Sequence, residues 1–119
     1  MEVALVNPPD GNVVARGRYL GGPDYEFITA DDGHIDFRVV GDTETVWAGP
    51  NATAFRAIAS AWNRYTAEVR QLSSEAEQLR RVARMRQELL ELGALPSDPP
   101  PNPEPLWSLL VFEAENGLS

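Results

Sequence analysis

The spacing of apolar residues changes near residue 50, and the change divides the chain into two kinds of structure. Before it, apolar and polar residues alternate in short runs: VVARGRYLG (13–21), YEFITA (25–30), HIDFRVV (34–40) and TETVWAG (43–49). In YEFITA, Tyr25, Phe27 and Thr29 share one side and Glu26 and Ile28 the other; in HIDFRVV, Ile35, Phe37 and Val39 oppose His34, Asp36 and Arg38. A period of two is that of a strand with one buried side. The runs are separated by Gly21-Gly22-Pro23-Asp24, Asp31-Asp32-Gly33 and Gly41-Asp42. Connections this short cannot carry a crossover, so they predict an antiparallel meander. MEVALVN is expected to add an edge strand, closed by Pro8-Pro9.

From Asn51 the period lengthens. Phe55, Ile58, Trp62, Tyr65, Val69 and Leu72 recur at spacings of three and four, one face of a helix, with Asn51 or Thr53 able to cap its first turn. Ser74-Glu75-Ala76-Glu77 matches a capping box, and Leu79, Val82, Met85, Leu89 and Leu92 then form a second stripe that stops at Gly93. The pattern fits two helices or one long bent helix. Six prolines in LPSDPPPNPEP (95–105) allow neither helix nor central strand, so this stretch reads as a stiff connector.

The connector leads to LWSLLVF, the most apolar run of the chain. Seven residues fall far short of the roughly 20 that a spanning helix needs, and no basic residue lies near to hold an anionic headgroup surface. Leu106, Leu109, Leu110 and Glu113 fall on helical spacing, as do Trp107, Val111 and Glu115. Burying one such large apolar side chain is favourable by about 1.5–3 kcal/mol, so docking on the protein's own core is preferred over a hook for a partner. The expected architecture is therefore α+β: a meander of four to five strands (1–50), helices (51–94), the connector (95–105) and a terminal helix packed on the core (106–117). All of it belongs to one domain.

Charge and composition narrow the chemistry. The net charge is −8 over 119 residues, there is no cysteine, and all ten basic residues are arginine. Residues 1–50 hold nine acids against three arginines, residues 51–95 five against seven, and residues 96–119 four against none. An acidic front argues against nucleic-acid binding, which needs a basic footprint, and suits a basic protein partner. A single histidine and no cysteine leave no multi-histidine or thiolate metal site, and no cofactor is expected. The N-terminus has no basic, apolar leader pattern, so a soluble, cytoplasmic protein is expected.

The densest polar cluster is Asp31-Asp32-Gly33-His34-Ile35-Asp36. It could hold a hard cation or supply an acid/base pair, which makes a small metal-dependent enzyme one alternative. A hairpin turn followed by the solvent side of a strand explains the same residues. The calcium-loop spacing is absent, as are the nucleophile-elbow, phosphate-loop, dinucleotide and zinc-protease motifs. Trp47, Trp62 and Trp107 could line a cleft but fit core positions better. Arg80, Arg81, Arg84 and Arg86, with Glu77, Glu88 and Glu91 close by, read as a solvated face laced by i,i+4 pairs.

The order of these parts resembles bacterial immunity proteins of the SUKH superfamily, most closely its fourth immunity-protein group, widespread in actinobacteria. The likeness covers about residues 13–119. It lies in Thr45-Val46-Trp47 ending the meander, Asn51-Ala52-Thr53 with Phe55 opening a helix of pattern F-x-x-I-x-x-x-W-x-x-Y, the proline-bearing connector, and Trp107, Glu113 and Gly117-Leu118 near the end. Two features depart from the group. The opening helices and strands such domains often carry are missing, and Ala-Thr follows Asn51 where Ser-Ser is usual. The terminal spacing also differs slightly. The resemblance implies a sheet covered by helices and a non-enzymatic role: binding and neutralising a cognate toxin, often a nuclease or deaminase, in the producing cell. An adaptor of the same fold without a toxin is the other alternative. Such toxins tend to be basic, so Asp24, Asp31, Asp32, Asp36, Asp42 and Glu44 form the expected contact face.

Overall fold

A computed structural model describes residues 3–18, 22–95 and 106–116, without the side chains of 7–9. Five strands, β1 (Ala4–Asp10), β2 (Val13–Arg18), β3 (Asp24–Thr29), β4 (Ile35–Val39) and β5 (Val46–Gly49), form one antiparallel sheet in chain order. Three helices follow: α1 (Ala52–Val69), α2 (Glu75–Glu91) and α3 (Leu106–Glu115). The α+β meander expected from the alternation is present. Its boundaries shift by one residue in β3 and β4 and differ further in two places. Pro8-Pro9 lies inside β1 instead of closing it, in the stretch between Leu5 and Asp10 where the register to β2 is irregular, the place at which an edge strand tolerates proline. Thr43–Thr45 stays outside β5. The expected continuation of β2 through residues 19–21, most of the proline-rich connector and the last residue of the expected terminal helix lie outside the described residues.

Alternation sorts the sheet into two sides as the sequence predicts. Tyr25 and Phe27 of β3 and Ile35 and Phe37 of β4 point into the core. Glu26 pairs with Arg38 across the ladder on the outer side, and Ile28 with Asp36. Three irregularities interrupt the strict period, one of them in β1 between Leu5 and Asp10. The register of β2 slips between Val13 and Ala15, so the neighbours Val14 and Ala15 both enter the core. In β5 a similar slip separates Trp47, opposite Asp36, from Gly49, opposite Ile35, and it turns Ala48 inward. Trp47 is thereby left half-buried and outside the core, whereas Trp62 and Trp107 are fully inside.

One apolar cluster joins the inner side of the sheet to all three helices. Its centre is aromatic: Phe27 contacts the rings of Tyr25, Phe37, Phe55 and Trp107, and Trp62 bridges Trp107 to Tyr65. Gly49 lets α1 approach β5 closely, because a Cβ there would stand 3.3 Å from Cβ of Phe55. The sheet edges are also tied down. Asn63 of α1 accepts from Val3 N–H at 3.1 Å and donates to Val3 C=O at 2.8 Å, taking the place of a neighbouring strand. The indole Nε1–H of Trp107 donates to Ala48 C=O at 2.6 Å.

The helical stretch is two helices. Asn51 caps α1 by accepting from Ala54 N–H at 2.8 Å, and Ser74 caps α2 by accepting from Glu77 N–H. Phe55, Ile58, Trp62 and Tyr65 are buried as expected, while Leu72 falls in the turn between the helices. Two expectations for α2 fail. Leu79 is 51% exposed, at the lip of a groove of about 590 Å³ lined also by Tyr65, Val69, Val82 and Ala114. Arg81 is only 8% exposed and bonds Glu68 of α1 at 2.6 Å, so it is an inter-helix tie and not part of a solvated stripe. The reason is phase. Arg81 lies four residues before Met85, on the edge of the stripe that faces α1 and α3, and Leu79 lies on the opposite edge. Arg86 likewise reaches Glu115 of α3, and only Arg84 makes an i,i+4 pair, with Glu88.

The apolar run near the end of the chain is core. Leu106, Trp107, Leu110, Val111 and Ala114 are buried, while Leu109 and Phe112 face outward. Among the described residues no helix is long and apolar enough to cross a membrane.

Candidate protein-binding surface

Five of the six acids of the expected contact face sit at the two ends of one hairpin, whereas Asp36 lies inside β4 opposite Ile28, its side chain only 14% exposed. Val40 N–H donates to Asp24 C=O, and Asp42 N–H donates to Val39 C=O, so Asp24, Asp42 and Glu44 cluster where β3 begins and β4 ends. Asp31 and Asp32 occupy the β3–β4 turn at the other end, where Thr29 pairs with Ile35 and Gly33 N–H donates to Ala30 C=O. Five paired positions separate the two groups. Crossing those five positions takes at least six residue steps, and at about 3.4 Å per residue that is roughly 20 Å. The single face expected of all six is not formed: five gather at two separate ends joined by the outer side of β3 and β4, and Asp36 is part of that side, held by His34.

Turn chemistry explains why carboxylates occur there. Gly33 adopts φ +92°, a conformation that side chains disfavour, and closes the tight turn. Asp32 Oδ1 accepts from His34 N–H at 3.1 Å, and Asp42 Oδ1 from Glu44 N–H at 3.2 Å. Both are side-chain turns of the kind aspartate favours.

Pairing then decides which charges remain available. Each arginine of the first half has an acidic partner: Arg16 with Asp10 at 2.9 Å, Arg18 with Asp24 at 2.6 Å, and Arg38 with Glu26. The Arg18 hydrogen bond and charge hold the Asp24 carboxyl below its usual range. The hydrogen bond from the His34 backbone, and then that from its ring, do the same for Asp32. His34 lies between Asp32 and Asp36, its Nδ1 bonded to Asp32 and its Nε2 2.8 Å from Asp36 Oδ1. Burial by itself lowers the imidazole pKa. The combined hydrogen bonds and charges of the two aspartates outweigh it and hold the ring above its ordinary 6.5. Asp31, Asp42 and Glu44 have no cationic partner among the described residues, and all three are exposed. They are the uncompensated charge of this surface.

As an acid/base or metal site the cluster is poorly arranged. Both ring nitrogens of His34 are engaged by carboxylates, and among the described residues no group of three or more histidine, cysteine, aspartate and glutamate side chains could hold a metal ion. The outer ladder of Glu26 and Arg38 was not foreseen. Its signal was their opposite charge on facing outward positions of adjacent strands. Set against family models, curated proteins and solved structures, the chain matches none of them.

Proposed function

We propose that this protein is a non-enzymatic binding module that recognises a basic protein in the cytoplasm, most specifically an immunity protein that occludes a cationic nuclease or deaminase toxin. The observation that carries this reading is the pattern of charge compensation. Every arginine on the sheet is matched to an acid, while the β3–β4 and β4–β5 loops keep Asp31, Asp42 and Glu44 unmatched and exposed. Exposed charge without an internal partner adds little to folding. It does speed encounter with a surface of opposite sign. The outer side of β3 and β4 between the loops carries the Glu26–Arg38 pair and Asp36 bonded to His34.

The test is titration calorimetry and stopped-flow mixing against a basic toxin domain sought in the adjacent genes, whose absence there would count against the immunity reading. A one-to-one complex that abolishes toxin activity, with an association rate that falls as salt is raised, is the expected result. The triple variant Asp31→Asn, Asp42→Asn, Glu44→Gln should slow association by about tenfold and flatten its salt dependence. Failure of the toxin to bind, or binding indifferent to both salt and the triple variant, would remove the proposal.

A further inference from the structure

We propose that Asp32, His34 and Asp36 form a proton-operated lock that fastens the β3–β4 turn to the outer side of β4 and sets the charge the turn presents. The inference rests on donor counting. Nε2 of His34 stands 2.8 Å from Asp36 Oδ1, and Nδ1 is bonded to Asp32 Oδ1. Ionised carboxylates only accept, and a neutral imidazole has a single N–H. Both contacts therefore exist together only when the ring carries two protons.

Removing one proton breaks one arm, and burial decides which. The Asp36 side chain is 14% exposed, so water cannot easily replace a donor lost there. The Asp32 side chain is 72% exposed, so when it turns away water can replace both its ring contact and the exposed bond it accepts from His34 N–H. The neutral ring thus keeps its proton on Nε2 for Asp36 and presents a lone pair to Asp32, which swings away. Asp32 is then free beside the unmatched Asp31, and the turn is one unit more negative.

The groups around the ring are few. Asp32 and Asp36 are the charges that act on it. Just after β3, Ala30 N–H donates to His34 C=O, and within β3 Ile28 stands opposite Asp36; β5 contributes Trp47 opposite Asp36 and Gly49 opposite Ile35. None of these is ionisable. The lock belongs to the chain alone, so it stands or falls separately from any partner.

Because His34 is the sole histidine, long-range proton–nitrogen NMR of the ¹⁵N-labelled protein reads its ring without ambiguity. Across pH 5–9 the expected course is two protonated nitrogens, a midpoint above 6.5, then the Nε2–H tautomer, while the His34 amide loses exchange protection several-fold. Asp32→Asn should lower the midpoint and keep that tautomer. Asp36→Asn should lower it and abolish the preference for Nε2. A wild-type midpoint at or below 6.5, or one that Asp32→Asn leaves in place, overturns the lock. Asp32 is exposed, so its variant should keep the fold, which the amide spectrum of the same sample checks directly.

Discussion

Trp107 shows how one side chain can serve packing and polarity together. Its ring fills the centre of the core while Nε1–H satisfies the Ala48 carbonyl. Trp107→Phe keeps much of the apolar area but leaves that carbonyl unpaired in the interior. The expected loss is about 1–3 kcal/mol in urea unfolding. Arg81 makes the opposite case. It is buried against Tyr65, its Nε is bonded to Glu68, and its Nη1 has no partner among the described residues. Only the arginine of this pair is buried; Glu68 is 52% exposed and is taken up by water when the cation is removed, so an apolar side chain of similar length can replace Arg81 at little cost. Arg81→Met should therefore change stability by less than about 1 kcal/mol. Glu68→Gln, which removes the countercharge and leaves the cation, should destabilise more than Arg81→Met does. The reverse order in parallel urea curves would refute this account.

At the scale of elements, the join between β5 and α1 is the most constrained point of the fold. Asn51 caps the helix one residue after Pro50, and Gly49 gives Phe55 room to reach the sheet. Asn51→Ala should cost about 1 kcal/mol by freeing Ala54 N–H. Gly49→Ala should cost about 1–3 kcal/mol, because its Cβ meets the Cβ of a fully buried Phe55 instead of a side-chain tip that could move aside. Both are measured by thermal or urea unfolding, and a neutral Gly49→Ala would show that α1 can shift. The period-two and period-3.6 patterns made both partners of this join legible. Their approach distance was not, since it depends on the bulge at Ala48.

For the whole molecule, charge sets the pH response. His34 has a raised folded pKa, so its contribution is complete below 6.5 and is lost as pH rises through the folded value. Asp24, Asp32 and Glu68 have folded pKa values lowered from 3.8, 3.8 and 4.5, so their contributions are present above those values and vanish as pH falls through the folded ones. The Arg18 bond, the His34 backbone N–H and the Arg81 bond are the leading causes for the three carboxyls. Stability should peak between about pH 4.5 and 6.5. Urea midpoints from pH 3 to 9 test this. His34→Gln should flatten the alkaline side, and a wild-type midpoint that rises from pH 6 to 8 would contradict the assignment.

Local spacing determined the strands, the two helical stripes, their caps and the burial of Leu106, Trp107, Leu110 and Val111, because each depends on residues only a few positions apart. Composition likewise determined that the surface would be acidic. Only the tertiary structure decided which charges stay free, since compensation depends on pairs brought together from distant positions: Arg81 with Glu68, Arg86 with Glu115, Arg38 with Glu26. It also decided that the expected single acidic face is two loops at opposite ends of a hairpin. Strand direction reverses between them, and counting carboxylates along the chain cannot reveal that separation.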